Sequence, residues 1–148
     1  MAETDLKKLY QGRILELAAN IPLAERLEAP AATVKKRSPL CGSTVTVDLS
    51  VTEGTISSFG QTVKACALGQ ASASILGGVV IGASFDQIKK ARDQLFAMLT
   101  EDGPAPDAPF AEFAVLEPAR DFKNRHASIM LALDATVEAM ADAQDKAA

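Results

Sequence analysis

The feature that most constrains the fold is a change in hydrophobic periodicity near residue 66. Residues 44–51 alternate apolar and polar side chains, which predicts a half-buried β-strand. Residues 55–63 form a second predicted strand after the turn signal Glu53-Gly54, and their imperfect alternation indicates a β-bulge near Gly60. From residue 67 onward the apolar positions recur at helical spacing instead. We therefore expect an antiparallel hairpin followed by helices.

Four segments have the apolar spacing of helices, namely 4–20, 67–76, 84–99 and 122–143. Ser84 is the expected N-cap of the third helix. A polar link occupies 23–37, and we interpret its basic run, 35–37, as a solvated strand edge. Residues 101–109 are an exposed connector, and 110–116 are a short apolar segment. This order of helix, strands and helices predicts an α+β fold with helices packed on one face of a small antiparallel sheet.

Length and charge limit the classes of protein to which the chain can belong. Its 148 residues predict one domain, 1–148, with a frayed tail from about residue 142. The net charge is −4 and there is no tryptophan, so we expect no nucleic-acid binding. The chain lacks an apolar run of membrane-spanning length, and its first residues lack the apolar core of a signal peptide. We expect a cytoplasmic protein that does not bind membranes, in a compartment that keeps thiols reduced.

Three scarce residues have metal or nucleophile chemistry: Cys41, Cys66 and the single histidine, His126. Cys41 lies in a predicted loop between Pro39 and Gly42, whereas Cys66 lies where the helical pattern begins. At a helix N-terminus the dipole favours the thiolate. The residues alone leave two interpretations open, because cysteines and a histidine on an apolar stripe also serve as ordinary core residues. Their separations match no compact zinc-finger pattern.

The segments around these residues resemble the U-type iron–sulfur cluster scaffold family, which includes IscU, SufU and the N-terminal domain of NifU. The resemblance covers nearly the whole chain, and the distance from Cys66 to His126 is that of the SufU-like branch. The segments that carry it are Leu9-Tyr10, Ser38-Pro39-Leu40-Cys41-Gly42, Lys64-Ala65-Cys66-Ala67-Leu68-Gly69-Gln70-Ala71-Ser72-Ala73-Ser74, Pro118-Ala119-Arg120 and Asn124-Arg125-His126-Ala127-Ser128.

The resemblance implies a scaffold that transiently holds iron, a [2Fe–2S] cluster or zinc. In that family three cysteines and an aspartate hold the metal. By position the ligands here are Cys41, Cys66 and His126, where His126 replaces the third cysteine and Ser43 replaces the aspartate. The implied partners are a cysteine desulfurase and apo iron–sulfur proteins. From its predicted loop position, Cys41 is the expected sulfur acceptor.

Two other functions stay open at this point. One is a zinc-dependent sulfurtransferase that works with a cysteine desulfurase and never holds a cluster. The other is a degenerate homologue that binds partners without metal. The resemblance favours a non-enzymatic scaffold, and enzymatic activity is expected only in the sulfurtransferase case. We expect water or a partner group to complete the metal coordination, because the neutral hydroxyl of Ser43 is a weak ligand.

Overall fold

The computed structural model describes residues 12–39 and 41–147. Its three-stranded antiparallel sheet has the order β1-β2-β3, and helices pack against it, which confirms the predicted α+β class. The strands are β1 (Ala32–Arg37), β2 (Thr44–Thr52) and β3 (Thr55–Lys64). The α-helices are α1 (Arg13–Ala19), α2 (Ala67–Gly77), α3 (Phe85–Thr100) and α4 (Lys123–Ala147), and a 3-10 helix spans Ala111–Asp121.

The predicted hairpin is confirmed, and β2 buries the side chains of Val45, Val47 and Leu49. The bulge, however, is not at Gly60. The register shifts beside Ser50 and Val51, where Ser57 is the extra residue of β3. The last part of the predicted polar link over 23–37 forms β1, which starts before the basic run and pairs with β2 along its whole length. The basic run does lie on a strand edge, as interpreted from the sequence.

The predicted helices agree with the structure within a few residues at most ends. Ser84 caps α3 through a capping box with Gln87, as expected. The first predicted helix, 4–20, lies partly outside the described residues, and α1 covers its second half. The short apolar segment predicted at 110–116 is the start of the 3-10 helix. Residues 142–147, predicted as a frayed tail, continue α4 as helix.

An ion pair between the exposed Arg26 and the buried Asp48 fastens the link before β1 to the centre of the sheet. Asp48 on β2 is fully buried and accepts hydrogen bonds from Arg26 Nε at 2.6 Å, Thr33 Oγ1 at 2.5 Å and the Leu27 amide at 3.2 Å. Burial raises the pKa of Asp48, but hydrogen bonds from Arg26, Thr33 and Leu27 outweigh it, so the pKa is lowered. The carboxylate therefore holds the link and β1 in register with β2.

Within the described part of the chain, no helix is both long enough and apolar enough to cross a membrane.

Gly60 on β3 is expected to be the glycine least tolerant of a side chain. A Cβ there would lie 2.2 Å from the carbonyl oxygen of Glu25, which is backbone and cannot rotate away. Gly60→Ala should lower the free energy of unfolding by about 3 kcal/mol in urea denaturation, the upper end of the cost of overpacking. The control is Gly78→Ala, whose Cβ would meet nothing closer than 3.7 Å. Equal stability of the two variants would contradict this packing.

Candidate functional site

A short loop between β1 and β2 presents Cys41 at one end of the sheet. The Ser38 amide donates to the Ser43 carbonyl at 2.8 Å, and the Gly42 amide donates to the Ser38 carbonyl at 2.9 Å. These two bonds close the loop, and they leave the Cys41 residue exposed. An exposed sulfur on a hydrogen-bonded loop is accessible to a reacting partner.

Cys66 lies at the same end of the sheet because β2 begins opposite the end of β3. Thr44 pairs with Lys64, so the residues just outside that pair are neighbours in space. Cys66 is the N-cap residue of α2, and its carbonyl accepts the first helical hydrogen bond from the Gln70 amide at 2.9 Å. Cys66 is half-buried, and its backbone is fixed by the helix that it starts. The fold therefore places an exposed thiol on a loop and a half-buried thiol at a helix start at one end of the sheet.

Two buried serine hydroxyls connect the sulfur atoms of these cysteines. Ser43 Oγ lies 3.1 Å from Cys41 Sγ, and Ser128 Oγ on α4 donates to Ser43 Oγ at 3.1 Å. Ser128 Oγ in turn lies 3.5 Å from Cys66 Sγ. Gly69 on α2 permits this approach, because a Cβ there would lie 2.6 Å from Ser128 Oγ. The four side chains form one continuous chain of polar contacts, which we call the sulfur–serine chain.

Hydroxyl groups also make Cys41 unusually acidic. Hydrogen bonding with Ser38, whose Oγ lies 3.3 Å from the sulfur, is the largest of the effects that lower the pKa of Cys41 to about 7. The side chain and amide of Ser43 add to it, and so does Ser128, against a smaller opposing effect of burial. Hydroxyls that turn their hydrogens toward the sulfur stabilise the thiolate. Near neutral pH a substantial fraction of Cys41 is therefore nucleophilic thiolate.

Basic side chains flank the same end of the sheet. Arg37 and Lys64 lie on either side of Thr44 in one row across the three strands, and both are exposed. The Arg37 guanidinium lies beside Gly42, since a Cβ at that glycine would be 3.8 Å from one of its nitrogens. Two positive charges beside an exposed thiol favour an acidic partner surface.

The structure places His126 elsewhere. Its Nε2 lies 2.9 Å from the Ala119 carbonyl and 3.1 Å from the Arg120 carbonyl, at the end of the 3-10 helix. Among residues 12–39 and 41–147, no three His, Cys, Asp or Glu side chains form a group that could hold a metal ion. The predicted ligands Cys41, Cys66 and His126 therefore do not meet as a cluster in this conformation. The assignment of His126 as a ligand stays a prediction.

Sequence reasoning did not single out Ser128, the residue that faces both cysteines. The sequence marks it by its neighbours, because Ser128 directly precedes the apolar run of residues 129–133. In the structure residues 128–133 are all buried, and Ser128 is the one polar residue among them. A buried hydroxyl needs a hydrogen-bond partner, which makes such a residue a candidate for a site.

The thiols and hydroxyls of the sulfur–serine chain are better suited to sulfur transfer than to stable binding of a metal by one chain. Thiolates are strong ligands for zinc and for iron–sulfur clusters, but a cluster usually needs four of them. The sulfur–serine chain offers the two thiols of Cys41 and Cys66 and two hydroxyls. A neutral hydroxyl is a weak ligand beside thiolates.

Solved structures similar to this chain include one from Brucella abortus, a nitrogen-fixing NifU-like protein (N-terminal). It is 44% identical, the match covers 96% of this chain and 99% of that one, and the TM-score is 0.93. SufU of Fervidobacterium islandicum AW-1 is described as an iron–sulfur cluster assembly scaffold protein for the SUF system. It is 16% identical over 89% of this chain and 96% of its own, with a TM-score of 0.78. A hypothetical protein, 21% identical over 90% of this chain and 97% of its own, has a TM-score of 0.77. No family model and no curated protein matches the chain.

Proposed function

Because this chain belongs to the U-type scaffold family, together with NifU-like N-terminal domains, we propose that it works in iron–sulfur cluster assembly as a scaffold that accepts sulfur. The observation that carries the proposal is the site at Cys41. Cys41 is exposed, its thiol is acidic, and its sulfur contacts the hydroxyls of Ser38 and Ser43. These are the properties that a thiol needs to take sulfur from a persulfide.

Sulfur transfer follows ordinary thiol exchange chemistry. The Cys41 thiolate attacks the outer sulfur of a persulfide on the donor protein. The bond between that sulfur and the donor cysteine breaks, the donor leaves as a thiolate, and Cys41 becomes the persulfide. Ser38 and Ser43 assist by stabilising the attacking thiolate, and the exposed loop permits the in-line approach that the exchange requires.

The donor that we propose is a cysteine desulfurase, and the final recipients are apo iron–sulfur proteins. Arg37 and Lys64 support docking of an acidic surface beside Cys41, because both are exposed at the same end of the sheet. The proposed compartment is the cytoplasm, where thiols remain reduced.

Iron or a [2Fe–2S] cluster is the cargo in this proposal, and zinc is a possible occupant of the same thiols. Cys41 and Cys66 are the proposed ligands, with His126 as the third ligand only if the start of α4 rearranges. Because the residues that face the two sulfurs are serines, we expect the cargo to be held weakly.

One alternative gains support from the same serines. Weak ligands at positions 43 and 128 favour a sulfurtransferase partner of the desulfurase that passes sulfur on without storing a cluster. The metal-free binding partner remains the second alternative, and it predicts no sulfur on either cysteine.

Persulfide mapping tests the proposal. The protein is mixed with a cysteine desulfurase and cysteine without oxygen, alkylated, and analysed by peptide mass spectrometry. We expect persulfide on Cys41 in the wild type and in Cys66→Ser, and none in Cys41→Ser. Ser57→Ala is the control, because this exposed serine on β3 does not contact the site. Persulfide confined to Cys66 would reject the assignment of Cys41, and persulfide on neither cysteine would favour the metal-free partner.

A further inference from the structure

We propose that Cys66 is a resolving thiol, which displaces the sulfur held on Cys41 as hydrosulfide and forms a Cys41–Cys66 disulfide. The inference rests on the proposed function, because it needs Cys41 to hold a persulfide. It goes beyond sulfur acceptance because it names the group that reduces the bound sulfane sulfur to sulfide.

The sulfur–serine chain has a direction that suits this reaction. Ser128 Oγ donates its hydrogen to Ser43 Oγ, so the Ser128 oxygen is free to accept the hydrogen of the Cys66 thiol. Ser43 has given no hydrogen to Ser128, so its own hydrogen is available for the sulfur at position 41. In the arrangement that the reaction uses, Cys66 donates to Ser128 and Ser43 donates to the sulfur at position 41, so that every hydrogen points from Cys66 toward Cys41.

Both serines are shielded from solvent, since Ser43 is 5% exposed and Ser128 is 1% exposed. A buried chain of hydroxyls can pass a proton between its two ends without losing it to bulk water. A purely structural pair of serines does not need to end on a thiol at each side. This one does, at 3.1 Å from Cys41 Sγ and at 3.5 Å from Cys66 Sγ.

The reaction balances without a metal or an external oxidant. The proton of Cys66 first passes through Ser128 and Ser43 to the Cys41 persulfide anion, which leaves Cys66 as a thiolate and the persulfide neutral. After the loop moves, the Cys66 thiolate attacks the inner sulfur of the persulfide and forms the Cys41–Cys66 bond. The bond between the inner and outer sulfurs breaks with its electron pair on the outer sulfur, which leaves with its proton as hydrosulfide. The outer sulfur is reduced by two electrons, and the two cysteine sulfurs are oxidised by one electron each.

The fold allows the two sulfurs to approach. Cys66 is fixed at the start of α2, whereas Cys41 lies in the loop between β1 and β2. The pairing of Thr44 with Lys64 keeps the ends of β2 and β3 adjacent, so both cysteines lie at the same end of the sheet. Formation of the disulfide requires the Cys41 loop to move toward the start of α2. A dithiol reductant then returns the disulfide to two thiols for the next turnover.

The test measures sulfide and disulfide from the full-length protein loaded with sulfur. The anaerobic protein is loaded in two parallel arms, with desulfurase and cysteine or with sodium polysulfide, and is then desalted. Sulfide release is followed without reductant, and the cysteine pairing is determined by non-reducing peptide mass spectrometry. We expect about one hydrosulfide released for each disulfide formed.

Three variants make the result specific. Cys66→Ser should retain its Cys41 persulfide, and Ser128→Ala should release sulfide on the order of tenfold more slowly, because its proton path is broken. Ser57→Ala, a remote serine on β3, should behave as the wild type. Release from Cys66→Ser at the wild-type rate would overturn the inference, and so would transfer of the persulfide to Cys66 without a disulfide.

The two loading arms separate the possible failures. If only polysulfide loads Cys41, the proposed function fails, and the release rates still decide the role of Cys66. If the desulfurase loads Cys41 and no disulfide forms, the proposed function stands and the inference fails. If polysulfide loads neither cysteine, the inference is overturned.

Discussion

Replacing Ser43 by Asp and Ser128 by Cys together should tighten zinc binding by at least roughly 100-fold, because the change supplies a carboxylate and a third thiolate. Both positions already face the two native sulfurs through contacts of 3.1 and 3.5 Å. The new donors would therefore project into the space between Cys41 and Cys66. Competition against a chromophoric zinc chelator measures the affinity of each variant.

The single variants divide the effect between the two positions. Ser43→Asp and Ser128→Cys should each give an intermediate affinity, and Ser57→Asp, on an exposed part of β3, should leave zinc binding unchanged. Wild-type affinity in the double variant, with the native circular dichroism spectrum retained, would show that positions 43 and 128 do not face the metal.

The alkylation rate of Cys41 should rise with pH and reach its half-maximal value at a pH of about 7, because the thiolate is the reacting form and its pKa is about 7. Ser38→Ala removes the hydrogen bond that lowers this pKa most, so its profile should move toward higher pH. At pH 7 the rate should fall on the order of tenfold, because fewer molecules carry the thiolate. The rates are measured with iodoacetamide in the Cys66→Ser background.

Ser57→Ala supplies the matched control, because it removes a serine hydroxyl far from the loop. Its profile should overlie that of Cys66→Ser alone. A midpoint near pH 9 in the parent protein would contradict the role assigned to the hydroxyls around Cys41. An unchanged midpoint in Ser38→Ala would assign the acidity to other groups, with Ser43 the next to test.

Periodicity is sufficient to predict the hairpin and the long helices, because each buries one regular face. It fails for β1, since an edge strand has one partner and its outward side chains can be charged. Lys35 on this strand is exposed, as it would be in a loop. The register with β2 that makes these residues a strand depends on a partner distant in sequence.

The sequence predicts the two cysteines of the candidate site but not the serine that lies between them. Cys41 and Cys66 are chemically distinctive, and sequence reasoning selected both, but it assigned the family's third cysteine to His126 by position and did not consider Ser128 as a site residue. Two residues along an α-helix differ by about 200° in direction, so residues 126 and 128 cannot face the same group. In this fold Ser128 faces the sulfurs, and His126 faces the end of the 3-10 helix.

The central claim is that Cys41 accepts sulfur and that one chain retains metal only weakly. One sample tests both parts: protein purified without oxygen, treated with a cysteine desulfurase and cysteine, washed with a chelator, and assayed for sulfane sulfur, disulfide and bound metal. We expect sulfane sulfur and Cys41–Cys66 disulfide together at roughly one per chain, neither of them in Cys41→Ser, and metal far below one per chain. Metal retained at one per chain, with neither sulfane sulfur on Cys41 nor the disulfide, would contradict the claim.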